Sequence, residues 1–183
     1  MRKAICTAIL GAALAFGFVA VPTAPVAAAT HQATAVSIAK DIQATKAVAP
    51  WKGGKVPYSW GGGHGSKYGP SKGTCSGYTG PKPCRANVTT GVDCSGFTRW
   101  VYARAWGKDV LGAGNTDSQL ARMHKVSKAN AVAGDLVFFG TLSNTHHVGL
   151  YIGGGKMINA SHTGTFIRTD SLGSDLVGYY HYS

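Results

Sequence analysis

An α+β fold is predicted for this chain of 183 residues by three observations. Two stretches carry apolar residues at helical spacing, a long segment rich in Gly and Pro separates them, and the C-terminal part breaks into short runs punctuated by glycine. Composition agrees: 44% of residues are hydrophobic and 14% charged, which is too apolar for a disordered polybasic chain. All seven acidic residues are Asp, and 26 Gly with no Glu argue against a helical bundle. The formal net charge is +11.

In order along the chain, Arg2 and Lys3 precede an apolar run from Ala4 to Val21. Pro22 and Pro25 break that run, and Ala27-Ala28-Ala29 offers small residues for cleavage. Residues 1–29 therefore read as a secretory signal removed from the mature protein, rather than as a permanent anchor helix. Of the eighteen basic residues two precede residue 30, which leaves sixteen against seven aspartates, a net +9 for residues 30–183. No later segment is apolar enough to span a membrane, so an exported protein without a membrane segment is expected, secreted or associated with a cell wall. Residues 30–183 read as a single domain.

Residues 34–48, with Val36, Ile38, Ala39, Ile42 and Val48, predict a short amphipathic helix ended by Pro50. From Trp51 to Gly91 small and polar residues dominate, a length that is either functional or stapled when it lies inside a compact domain. Asp93 to Trp106 predicts the best helix, with Phe97, Trp100, Val101 and Ala105 on one face, Asp93 as N-cap and Gly107 past its end. After a polar segment at Asn115 to Gln119, strands are predicted at 135–140, 146–153, 156–161, 165–170 and 176–182. Gly153-Gly154-Gly155 supplies a hairpin turn between the second and third of these.

Cys94 falls at the N-terminal end of the second helix, where unpaired amides and the helix dipole favour a thiolate. By position alone a buried structural cysteine or half of a disulfide is as good a reading. On the strand around His147, period-two alternation puts Val148, Leu150 and Ile152 on one face and His147, Gly149 and Tyr151 on the other. A histidine beside glycine has an open approach to a neighbouring element, as a general base needs. Asn159, on the next strand, can hold an imidazole in one orientation. The order Cys, His, Asn is one solution to nucleophilic acyl transfer.

Four runs then carry a resemblance. Val56-Pro57-Tyr58-Ser59-Trp60-Gly61-Gly62, Gly91-Val92-Asp93-Cys94-Ser95-Gly96-Phe97, Ala133-Gly134-Asp135-Leu136-Val137-Phe138-Phe139 and His147-Val148-Gly149-Leu150-Tyr151-Ile152-Gly153 resemble the NlpC family of papain-like cell-wall cysteine peptidases. The resemblance implies a papain-like fold, with the nucleophile helix packed on an antiparallel sheet of five or six strands. It also implies hydrolysis of peptide bonds in peptidoglycan stems, in many members between D-glutamate and a diamino acid. It assigns Cys94 as nucleophile and His147 as base. The third polar position, commonly His in the family, is Asn159 here. Tyr58 matches a tyrosine near the nucleophile, and Asp93 and Ser95 match positions lining the stem-peptide site, so Asp93 reads both as helix cap and as ligand for a substrate amine. Gly114 stands where the family usually carries an arginine.

Where the family has a short loop after Trp60, this chain has an insertion at about 63–90 with Lys67, Lys72, Tyr78, Lys82 and Arg85. Of the three pairings open to Cys75, Cys84 and Cys94, two consume Cys94; a Cys75 to Cys84 bridge leaves it free and suits an oxidising compartment. The insertion is read as a lip beside the site. No cofactor is expected, and metal is not expected either, since no HExxH or paired Cys spacing appears and His146 and His147 point to opposite faces. Bacterial peptidoglycan is the expected partner, nucleic acid is not, and a monomer is expected. The alternatives are an amidase of the related CHAP type and a non-catalytic cationic module, wall-binding or toxin-like.

Overall fold

The computed structural model describes residues 26–183, with side chains from residue 31. Residues 1–25 of the predicted leader lie outside the described residues. Helix α1 spans Val26–Gln43, so it both starts and ends earlier than its apolar spacing predicts. It ends because Thr45 adopts a left-handed φ of 65°, and the amides of Thr45 and Lys46 turn back to the carbonyls of Ile42 and Asp41. That Schellman closure normally uses glycine. Val48, read from sequence as the last apolar residue of the helix, instead pairs with Trp51 in an isolated bridge.

Helix α2, Cys94–Trp106, lies where the sequence predicts it. The Asp93 side chain accepts from the Gly96 amide, and Gly107 closes the C-terminus at φ 70°. Phe97, Trp100 and Val101 are fully buried and form the centre of the core. Ala35, Ala39 and Ile42 of α1 belong to the same cluster. Arg99, polar by sequence, is buried too. Its guanidinium pairs with Asp109 at 2.7 Å and donates to the carbonyls of Gly63 and Gly65 at 2.8 and 2.9 Å. A buried guanidinium keeps its donors filled in this way, and here it ties the start of the insertion to the helix.

Two short strands, β1 (Ser71–Lys72) and β2 (Thr90–Gly91), pair within the insertion. A five-residue helix α3, Thr116–Leu120, takes the polar segment with Asn115 as its N-cap. The main sheet comprises β3 (His124–Val126), β4 (Leu136–Thr141), β5 (Asn144–Gly153), β6 (Lys156–Asn159), β7 (Arg168–Ser171) and β8 (Leu176–His181). Its order is β3-β8-β4-β5-β6-β7, and every neighbouring pair is antiparallel. The α+β class and the five predicted strands are present with shifted ends. β3 is additional, because His124-Lys125-Val126 has no alternation to read and forms by pairing with Tyr179 to His181 across a long sequence gap. Val148, Leu150 and Ile158 turn toward α2, whereas Val137, Phe139, Met157 and Tyr179 form a second cluster.

Three glycines bring the polypeptide close against α2. A Cβ on Gly96 would lie 2.1 Å from the Gly62 carbonyl oxygen, and one on Gly63 would lie 2.6 Å from the Gly96 Cα. Backbone packed against backbone in this way delivers residues 62–64 to the first turn of the helix.

Candidate active site

Cys94 is the first residue of α2 and is buried, one-tenth exposed. It is the free cysteine among the described residues, because Cys75 and Cys84 are joined in a disulfide with Cα atoms 5.9 Å apart. Burial pushes the Cys94 thiol up to about 12, and the charge of Asp93 adds to the rise. The backbone amides of Val148, Ser95 and Cys94 oppose it. The helix-terminus effect expected from sequence is therefore present but outweighed by desolvation, and the resting sulfur is a thiol.

His147 lies on β5 immediately before Val148, whose amide faces the sulfur. Among the described residues no hydrogen bond joins Cys94 to the imidazole. His147 Nε2 instead meets Asn159 Oδ1 at 3.0 Å. Both residues belong to the sheet face that also carries Met157, since Tyr151 is paired with Met157 and Leu150 with Ile158. The open approach that Gly149 was expected to provide is filled: a Cβ there would meet the Met157 sulfur at 2.4 Å. Burial pushes the imidazole below its ordinary value, helped by the neighbouring His146. The Asn159 hydrogen bond and the charges of Asp170 and Asp175 act the other way. At neutral pH the imidazole is uncharged.

Asn159 is fully buried. Its amide nitrogen donates to Asp170 Oδ2 at 3.0 Å, and Arg168 Nη2 holds the other Asp170 oxygen at 2.7 Å. Asp170 is a site neighbour that sequence reading missed.

The second unforeseen residue is His64. Its Nε2 lies 2.8 Å from Asp93 Oδ1 and its Nδ1 lies 2.9 Å from the Ala113 carbonyl, so both ring nitrogens face acceptors. Burial lowers its pKa, but the hydrogen bond and charge of Asp93, with the Ala113 carbonyl, outweigh that and push it up. Asp93 also accepts from Ser95 Oγ at 3.1 Å, from the Gly96 amide at 2.8 Å and, through Oδ2, from the Gly61 amide at 3.1 Å. Its role as helix cap is plain in this geometry, and its carboxylate is already surrounded by donors. A lone histidine after three glycines carries no sequence signal beyond the tight packing that those glycines permit.

Tyr58 forms a parallel bridge with Val92. Burial, then Cys94 and Asp93, push its phenol well above the ordinary value, so it remains a hydrogen-bond donor. Beside it the insertion places Tyr78 edge-on to Trp60, ring centroids 6.1 Å apart. Ser59 ties this corner down by donating to the carbonyls of Ala86 and Thr89. Asp117 of α3 accepts from the Thr145 amide and hydroxyl at 2.8 and 2.6 Å, which pins α3 to the start of β5 just before His147.

A cysteine at a helix N-terminus, with a His–Asn pair on adjacent strands of the antiparallel sheet behind it, defines a papain-like domain. Residues 54–181 match the NlpC/P60 family, and the chain belongs to that family. It is similar to the peptidoglycan endopeptidase RipB of Mycobacterium tuberculosis, 41% identical over 136 residues that cover 73% of this chain and 50% of RipB. It is also similar to the probable endopeptidase p60 of Listeria grayi, 42% identical over 90 residues covering 48% of this chain and 17% of that protein. The chain thus spans half or less of the length of these relatives.

Among solved structures, RipB of Mycobacterium tuberculosis matches with a TM-score of 0.58 and 27% identity, over 87% of this chain and 72% of that one. The Resuscitation Promoting Factor Interacting protein RipA, mutated in separate structures at a cysteine, a histidine and a glutamate, matches at TM-scores of 0.64 to 0.65 and 25% identity. These matches cover 85 to 88% of this chain and 63 to 65% of RipA. RipD of Mycobacterium tuberculosis, described as a non-catalytic NlpC/p60 domain protein adapted to peptidoglycan binding, matches at 0.59 and 25%, over 82% of this chain and 95% of that one.

Proposed function

We propose that the protein is an exported cysteine peptidase that hydrolyses peptide bonds in peptidoglycan stem peptides, with Cys94 as nucleophile, His147 as base and Asn159 as orienter. The observation that carries this reading is the 3.0 Å His147–Asn159 bond on β5 and β6, next to the amide that faces the Cys94 sulfur. The histidine and glutamate mutated in RipA stand twelve residues apart, the same separation as His147 and Asn159.

In this mechanism the Cys94 proton passes to the His147 nitrogen that Asn159 does not hold, as Sγ attacks the scissile carbonyl. A neutral thiol and a neutral imidazole favour transfer during attack over an ion pair formed beforehand. The Cys94 amide and the Tyr58 hydroxyl accept the oxyanion's charge by donating to it. Collapse expels the amine, which takes the proton from His147. The thioester then reacts with water that His147 deprotonates, releasing a carboxylate and restoring the thiol. Ser95 and Asp93 shape the adjoining subsite. A substrate ammonium reaching Asp93 would have to share that carboxylate with His64. Residues 63–90, closed by the Cys75–Cys84 bridge, serve as a lip over Tyr58 and Trp60. Residues 1–29 serve as the export signal.

Digestion of purified peptidoglycan followed by mass spectrometry of the released fragments tests the reading, with the D-glutamyl to diamino acid bond as the first candidate. The wild type should release new termini, and Cys94→Ala should bind walls without releasing any. A second reading, wall binding without turnover, draws on the buried neutral thiol and the likeness to RipD. It predicts the same effect from wild type and Cys94→Ala.

A further inference from the structure

Asn159 has two chemically different ends, an acceptor oxygen and a donor amide, and only one of them suits a base. With Oδ1 toward His147 Nε2, the asparagine can only accept, so Nε2 must carry the imidazole proton and Nδ1 is left with a lone pair. With the amide flipped, Nε2 would be the acceptor and Nδ1 would carry the proton, with no lone pair left there to take one from the thiol. Something must choose between the two orientations. The register supplies it: β6 and β7 pair Asn159 with Arg168 and Met157 with Asp170. Period-two alternation therefore puts Asp170 on the same sheet face as Asn159, one diagonal step away.

An ionised carboxylate accepts and does not donate, so the 3.0 Å contact between Asn159 Nδ2 and Asp170 Oδ2 is possible in one amide orientation only. The Arg168 guanidinium holds the other carboxylate oxygen at 2.7 Å. The Arg168 carbonyl, 3.4 Å from the same Asn159 nitrogen, is a longer second acceptor.

We propose that Asp170 is a positioning residue that acts through Asn159: it locks the amide, and thereby holds His147 as the tautomer with its proton on Nε2 and a free Nδ1. The chain Arg168, Asp170, Asn159, His147 then does for a neutral asparagine what a charged third residue would do directly. The kinetic part of this inference rests on the catalytic reading of Cys94 and His147, whereas the tautomer part does not.

The test separates them. In protein carrying 15N-labelled histidine at slightly alkaline pH, NMR of the ring nitrogens of His147 should report a single Nε2–H tautomer. Asp170→Leu, at a partly exposed site on the edge strand β7, should give a tautomer mixture. Asp170→Asn, whose carbonyl can still accept, should keep most of the wild-type signature. On peptidoglycan, Asp170→Leu should lower kcat about ten- to hundredfold, part of the contribution of a positioned base, with KM little changed. In an Asn159→Leu background the same substitution should cost nothing more, because its route of action is gone. Asp170→Ser gives the same readings if Asp170→Leu does not fold. An unchanged tautomer in Asp170→Leu, or losses that multiply in the double variant, would overturn the proposal. If neither wild type nor any variant cleaves peptidoglycan, the peptidase reading fails while the tautomer measurement still decides the role of Asp170.

Discussion

Cys94 and His64 both neighbour Asp93, and both hold their protons to higher pH than usual. The Cys94 thiol, raised to about 12 by burial and by Asp93, stays protonated through the neutral range. Alkylation of Cys94 by iodoacetamide, followed by peptide mass spectrometry, should therefore rise about tenfold per pH unit from pH 7 to 10 without a plateau, since the thiolate is the reactive form. A plateau already reached near pH 7 would mean a preformed thiolate and would refute the burial argument. For His64 the folded value is raised above the ordinary histidine value of 6.5. Its contribution to stability is then complete below that ordinary value and disappears as pH rises through the folded one. His64→Gln removes the charge while keeping a hydrogen-bonding side chain. The stability gap to wild type should be about 1.5–3 kcal/mol at pH 6, the range for hydrogen bonds to charged groups, and smaller at pH 9. Denaturant titrations at the two pH values measure it; a gap that widens toward pH 9 would contradict the assignment.

Helix α2 shows what an element needs beyond its own sequence. Alanine in place of glycine inside a helix ordinarily stabilises by about 1 kcal/mol. At Gly96 the sign should reverse, because the new Cβ would stand 2.1 Å from the Gly62 carbonyl oxygen and against Gly63. Gly96→Ala should destabilise by about 1–3 kcal/mol, the usual cost of overpacking. It should also loosen His64, so that the pH dependence of stability flattens along with the loss. Thermal melts across pH would detect both, and a more stable Gly96→Ala would show that the backbone approach is not tight. The same helix explains why part of the fold was legible. Asp93, the apolar face of Phe97, Trp100 and Val101, and Gly107 all signal it locally. The end of α1 was not legible, since Thr45 does in a left-handed conformation what glycine usually does. Nor was β3, whose three residues gain strand geometry only from β8. Within the candidate site, Cys94, His147 and Asn159 are singled out by their order in the chain and by the family resemblance of the runs around them, not by any one of them alone. His64 and Asp170 owe their places to a loop packed on α2 and to a strand register, and neither is written in the neighbouring residues.

At the scale of the whole molecule the seven aspartates are all engaged. Asp41, Asp109 and Asp170 pair with Lys46, Arg99 and Arg168, while Asp93, Asp135 and Asp175 pair with His64, His181 and His146. Asp117 is held by Thr145. Among the described residues only those three lysine and arginine side chains are matched by a carboxylate. Among the described residues the net positive charge therefore belongs to the surface and not to the fold, since each carboxylate is already paired or hydrogen-bonded. Such a surface is drawn to an anionic polymer over about a Debye length, roughly 10 Å at 0.1 M salt and 3 Å at 1 M. The candidate reacting groups, in contrast, are buried or half-buried, and the hydrogen bonds of 3.0 Å that hold His147 and Asn159 are screened little by salt. Raising the salt from 0.1 to 1 M should then release the protein from whole cell walls and slow their digestion, while turnover of a short soluble stem peptide stays within about twofold. Cosedimentation with walls reads the first effect, and chromatography of the cleaved peptide reads the second. Equal losses on wall and peptide would move the salt sensitivity into the site itself, and wall binding unchanged at 1 M would mean that the surface charge has no part in holding the protein to its substrate.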